Sequence, residues 1–429
     1  MKANVLLVGM MTVFCICSCS GNNSAINVPD VPTPVDGPVV VPEEPVTRHS
    51  YKPVLLSETQ QTINAKLQEF SWKLFKEVYV NRNEGTNLMI SPISLEVDLG
   101  MFINGLEGET LKEVLKTMGL ENYTKEQVND FFQTMMKGIE KADEAAIFKS
   151  ANAFWYNQEK KANNNFLSII KEKYDAKVEA MDFGDPKTVG IINAWCAEKT
   201  NGRIDKMLEY TVPTELYHLM NAVYFKSRWE DVFLKEATTK QPFHYADGHT
   251  ADIDLMHTYY RTSYVETDEF QLAAKPFIDG AFQFVMILPK EGVDAAKAIP
   301  AVFNYEQCTN MGSKTVDLEL YLPKFTSEYV EDRLFPYMAN INPSLKFLRD
   351  DMKFLEDINE NTELKAMQKT FFLVDEEGAE AAAVTDIMEV TSALPLQVEK
   401  AYMRLDHPFF YAIVESKTQC PLFIGYYGN

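Results

Sequence analysis

Asp375-Glu376-Glu377-Gly378-Ala379-Glu380-Ala381-Ala382-Ala383-Val384-Thr385 is the stretch on which the reading of this chain turns. It follows an extended-looking segment, Lys369-Thr-Phe-Phe-Leu-Val374, and no proline occurs after it until Pro395. Alanine and glutamate are strong helix formers, so Glu376 to Ala383 can be an exposed helix. It can equally be a linker or a strand, because its side chains are small. A segment free to change structure, near the C-terminus of a large domain, suggests a switch rather than a scaffold.

The rest of the chain bounds the answer. It has 429 residues, 46% hydrophobic and 24% charged, with a net charge of -21. That charge argues against an electrostatic nucleic-acid binder, which needs a basic face. Lys2 followed by the short apolar run Val5 to Ile16 reads as a signal peptide, too short to span a bilayer. The run ends Ile16-Cys17-Ser18-Cys19, which resembles a bacterial lipobox with Cys19 as the lipidated residue. Cys17 at the second box position leaves cleavage by an ordinary signal peptidase as the alternative. Residues 1–18 are thus expected to be a lipoprotein-type leader. Residues 19–54, rich in proline and valine, are expected to form a semi-extended tether. Such a tether would hold a domain of residues 55–429 off the cell envelope, or carry it outside the cell. Cys196, Cys308 and Cys420 are too few for a disulfide framework. Cys196 sits in a helical pattern and reads as a buried apolar residue.

Ser57-Glu-Thr-Gln60 has the capping-box pattern, followed by Ile63, Leu67, Phe70, Leu74 and Val78 at helical spacing. Pro92 opens a second helix at a favoured first-turn position. Further helical patterns run near 110–119, 124–140, 163–175 and 187–199. Strand-like segments begin at 146–156 and dominate from 218 onward: 218–226, 241–246, 250–257, 261–266, 281–288, 315–322, 366–374, 408–415 and 421–427. Asp247-Gly248 and Asp279-Gly280 are turn signals between strands. Early helices, later strands and no regular alternation argue for one large α+β domain.

Enzyme motifs are absent. There is no His-Glu-x-x-His, no Gly-x-Ser-x-Gly and no phosphate-binding Gly-x-x-x-x-Gly-Lys. His244, His249 and His257, with Asp247, Asp252 and Asp254 among them, match no common ligand spacing, and two hairpin strands would alternate them across faces. No metal and no cofactor is expected.

The alanine run resembles the hinge of the serpins, a family of protease inhibitors. Other segments resemble the family in its own order. They are Asn87-Leu-Met-Ile-Ser-Pro-Ile-Ser94, Ser150-Ala-Asn-Ala-Phe-Trp155, Ile192 to Ile204, Leu219 to Trp229, Leu320-Tyr-Leu-Pro-Lys-Phe325, Met403 to Ile413 and Pro421-Leu-Phe-Ile-Gly425. The resemblance implies a serpin fold of three β-sheets and about nine helices, with an exposed reactive-centre loop. It implies a monomer that is not an enzyme. Ser91, Pro92, Ser94, Asn221, Trp229 and Gln368 are carried over as structural residues of its shutter and breach. Gln368 departs from the family, many members of which have a histidine there.

The mechanism implied is a suicide trap. A serine protease attacks the loop and forms an acyl-enzyme. The cut loop then adds to the protein's own sheet as a strand. In such a strand, alternate residues face the core. Ala379, Ala381, Ala383, Thr385 and Ile387 would share the buried face, and all are small or apolar. Glu380, Ala382, Val384, Asp386 and Met388 would face away. No proline removes a ladder donor. Glu389 would fall on the buried face, which favours the alternative of a serpin-fold binding or structural protein cut without trapping. The family's spacing puts the scissile bond at Ser392-Ala393, with Thr391 as second choice. The loop from Glu376 to Glu399 has no Lys or Arg, so elastase-like or subtilisin-like proteases are the expected targets, with papain-like cysteine proteases also open.

Overall fold

The computed structural model describes residues 48–83, 85–294, 313–356, 358, 367–379 and 398–429. Seven α-helices and fifteen strands lie among them. The first helix, α1 (Glu58–Val80), starts where its capping box predicts: the Gln60 N–H donates to Ser57 Oγ and the Ser57 N–H to Gln60 Oε1. Its predicted stripe, Ile63, Leu67, Phe70, Leu74 and Val78, is buried. Burying each such side chain contributes about 1.5–3 kcal/mol. The second, α2 (Pro92–Phe102), is buried nearly all round, so it has no polar face to read. Four more, α3 (Gly108–Thr117), α4 (Lys125–Glu140), α5 (Asn164–Tyr174) and α6 (Lys187–Lys199), fall on the predicted periodic stretches. The seventh, α7 (Leu334–Ile341), was not expected.

One sheet holds β2 (Ile147–Asn157), β3 (Lys177–Met181), β4 (Tyr217–Arg228), β10 (Phe325–Glu331), β11 (Gln368–Val374) and β12 (Gly378–Ala379). Its order is β10-β11-β12-β4-β2-β3. The strands β2 and β4 pair antiparallel over ten residues, from Ile147↔Lys226 to Tyr156↔Tyr217.

The other sheet has nine strands: β1 (Leu88–Ile90), β5 (Thr239–His244), β6 (Thr250–Glu266), β7 (Phe270–Pro276), β8 (Phe282–Pro289), β9 (Lys314–Pro323), β13 (Glu399–Arg404), β14 (Phe409–Glu415) and β15 (Pro421–Tyr427). Where three sheets are expected, hydrogen bonding among the described residues thus gives two networks. The reason is β6. It runs unbroken for 17 residues, pairing with β5 at its start, β9 along its length and β7 at its end. What reads as two strands, 250–257 and 261–266, is one strand that joins two sheets.

The chain packs onto the body before Ser57. Val54 is buried against Gly138, the Tyr51 hydroxyl donates to Glu415, and the Lys52 N–H donates to the Ala142 carbonyl at 2.8 Å. The leader, the tether up to 47 and Cys19 lie outside the described residues, as does Cys308.

Candidate functional site

The site is the place where the opening stretch meets the six-stranded sheet. After β11 the chain turns back on itself. Asp375 makes the turn: its Oδ1 accepts from the Glu377 and Gly378 N–H groups at 2.9 and 3.1 Å. An aspartate bonding the backbone two and three residues on is a standard turn device. The returning strand, β12, is only Gly378–Ala379. It lies between β11 and β4 and is antiparallel to both, with Ala379 opposite Val374 on one side and Ser227 on the other. Among the described residues β11 and β4 have no ladder of their own; β12 is the strand between them.

Three backbone carbonyls of the turn are held from the segment that follows β4. The Trp229 N–H donates to Glu377 O at 2.8 Å, its indole Nε1 to Asp375 O at 2.9 Å, and the Phe233 N–H to Glu376 O at 2.9 Å. Trp229 is fully buried and stacks on Phe277, with ring centroids 4.5 Å apart. Lys324 Nζ stands 2.8 Å from Glu376 Oε2, and Lys235 Nζ 3.0 Å from Glu377 Oε1. Burial pushes the Glu376 carboxyl up, but the bond from Lys324 and the backbone outweigh it, leaving the group below its usual range.

The lower part of the sheet is tied to α2 by Gln368. Its Oε1 accepts from the Ser91 N–H at 2.7 Å and its Nε2 donates to the Ser91 carbonyl at 2.8 Å. One amide thus satisfies both backbone groups of the residue before Pro92. Ser94 is buried in the first turn of α2. Asn221 on β4 donates to Asn152 Oδ1 and Ser150 Oγ of β2 at 2.6 and 2.7 Å.

Of the expected site residues, the structure brings Glu376, Glu377, Gly378 and Ala379 together with Trp229, and Gln368 with Ser91. Glu380, Ala381, Ala382, Ala383, Val384, Thr385, Glu389, Thr391, Ser392 and Ala393 lie outside the described residues. Phe233, Lys235 and Lys324 were not singled out as partners of the hinge. Lys324 stands inside a quoted motif, but nothing local links it to an acid 52 residues away. Cys196 is buried, and burial pushes its thiol up to about 12. His249 stacks on Tyr245, whereas His257 reaches Glu319 on β9 at 3.2 Å, so the histidines serve different strands.

The serpin (serine protease inhibitor) family profile matches residues 65–429. A serpin-like protein of Thermococcus kodakarensis is 29% identical over 99% of this chain and 98% of its own. Neuroserpin of Homo sapiens is 28% identical, over 80% of this chain and 86% of its own. The native-state crystal structure of the thermophilic serpin tengpin superposes with a TM-score of 0.76 at 28% identity, covering 90% of this chain and 97% of that one. The chain belongs to the serpin family. Family membership supports protease inhibition as its general activity, and a protease as its partner.

Proposed function

We propose that the protein traps elastase-like or subtilisin-like serine proteases as a suicide substrate, by inserting its cleaved loop between β11 and β4. The observation that carries this is β12. The first two residues after the Asp375 turn already pair with both neighbours, so insertion needs only to extend a strand that has started. The protease attacks Ser392-Ala393 (or the bond at Thr391) and is held as an acyl-enzyme. Extension of β12 through Ala381, Ala383 and Thr385 then competes with deacylation. About a dozen new main-chain hydrogen bonds, at roughly 0.5–1.5 kcal/mol each, supply on the order of 10 kcal/mol. The absence of Lys and Arg from 376–399 makes trypsin-like enzymes poor targets.

Incubation with pancreatic elastase is expected to give a complex that survives SDS. Rapid loop cleavage with no complex overturns trapping. It favours the second reading, a binding or structural protein that is cut without trapping, which Glu389 supports because strand alternation would put it on the burying face. The leader supports lipidation at Cys19, with the 19–54 segment as a tether at the cell envelope. Cys19→Ala is expected to move the protein from the membrane to the soluble fraction; an unchanged distribution overturns the anchor.

A further inference from the structure

Lys275 lies within β7 and is 1% exposed. A buried ammonium is costly unless something compensates its charge. Here the compensation is aromatic. Its Nζ stands 4.5 Å from the Tyr260 ring centroid, 4.9 Å from Phe233 and 5.8 Å from Trp229. Such contacts are attractive, and more so when desolvated. The titratable groups near it are Tyr260 of β6 and the two acids Glu230 and Asp231 that follow Trp229. The Tyr260 hydroxyl donates to the Ala274 carbonyl, and Glu230 carries an ion pair with Arg48. Glu230 and Asp231 favour the charged form through space, but burial outweighs them and pushes the amine down to about 8.

Two of the three rings belong to the residues that hold the turn before β12. Trp229 and Phe233 supply the three hydrogen bonds to the carbonyls of Asp375, Glu376 and Glu377. We propose that Lys275 is a positioning residue for the hinge: its ammonium pins the Trp229 and Phe233 rings, and through them seats the first residues of the inserting strand. The proposal rests on the trapping reading for its functional consequence. With the ammonium gone, the two rings lose a shared attractor, the indole donor to the Asp375 carbonyl is freed to move, and the main-chain donors of Trp229 and Phe233 are held less firmly. Extension of β12 then slows while deacylation does not, and more loop is cut per protease held. A neutral amine is not attracted to a ring face, so wild type shifts the same way as pH rises through about 8.

The test compares the full chain with Lys275→Met and Lys275→Arg, using pancreatic elastase as probe at about pH 7 and about pH 9.5. The readout is the stoichiometry of inhibition, the molecules consumed per elastase trapped. At the lower pH the Met variant is expected to consume about threefold more than wild type, and the Arg variant about as much as wild type. Between the two pH values wild type is expected to rise toward the Met variant, which stays flat. Equal stoichiometry and equal pH profiles for wild type and Met overturn the proposal, as does an Arg variant no better than Met. If wild type forms no complex, trapping itself has failed, and a second measurement decides the role of Lys275. Tryptophan emission of the unreacted protein, with Trp229→Phe as blank, is expected to titrate near pH 8 in wild type and not in Lys275→Met. No step in wild type overturns the pinning of Trp229.

Discussion

Ala379 has no accessible surface and sits between Val374 and Ser227, so nothing larger or charged fits without moving a strand. Ala379→Arg would place an unpaired charge in that slot, at a cost of several kcal/mol. The variant is expected to be cut by elastase without forming the SDS-resistant complex; unchanged complex yield refutes the register. A second residue has a pH signature. Glu96 on α2 is buried with the Ser71 hydroxyl 2.6 Å from its Oε1, and burial pushes its carboxyl up to about 8. The native protein therefore holds a proton there that the unfolded chain releases from about pH 4.5. Between those values the native state binds more protons, so stability falls as pH rises through the window and levels off above it. Glu96→Gln removes that slope. Its melting temperature is expected to draw ahead of wild type from about pH 4.5 to about pH 8, by a few kcal/mol in stability, and to stay ahead above. Curves that remain parallel across the window refute the buried proton.

The two-residue strand depends on a glycine for a steric reason. A Cβ on Gly378 would lie 2.2 Å from the Ser227 carbonyl oxygen and 2.7 Å from the Arg228 Cα, and neither backbone atom can step aside. Gly378→Ala is expected to push β12 out of the sheet and raise the stoichiometry of inhibition severalfold. A variant that traps as well as wild type shows that the turn relaxes and β12 is not the start of insertion. At Trp229, the Phe substitution keeps the stack on Phe277 but loses the bond from Nε1 to Asp375 O. A loss of about 1 kcal/mol is expected by thermal melting. The helices α1 and α3 to α6 and most strands were legible because their apolar residues repeat at 3.6 or 2, and α2 because Pro92 stands at its first turn. The strands β1, β3, β7, β10, β12 and β13 and the helix α7 were not. Most of β7 is buried, so it has no alternation. In β10 the inward positions include Ser327 and Glu331, which are buried polar residues, and this erases the apolar pattern. In β13 only Met403 is buried.

For the whole molecule, the test of metastability is cleavage. If the cut loop adds a strand, stability rises by on the order of 10 kcal/mol. In a body of this size that raises the melting temperature by about 10–15 °C. An unchanged melting temperature after complete loop cleavage refutes insertion and leaves the binding role. The net charge of -21 keeps the molecule away from nucleic acid whichever outcome holds. Local chemistry was enough to determine the class of the fold, the start of α1 at its capping box and the place in the chain where the small-residue hinge begins. Each is set by residues close together in the chain. Tertiary structure alone decided that the hinge begins as a strand between β11 and β4. It also decided that Trp229, Phe233 and Lys324 hold it, that Gln368 clamps Ser91, and that Lys275 stands in an aromatic cage beneath. Those partners are tens to hundreds of residues apart, and no local preference encodes which of many lysines or aromatics the fold brings to one turn.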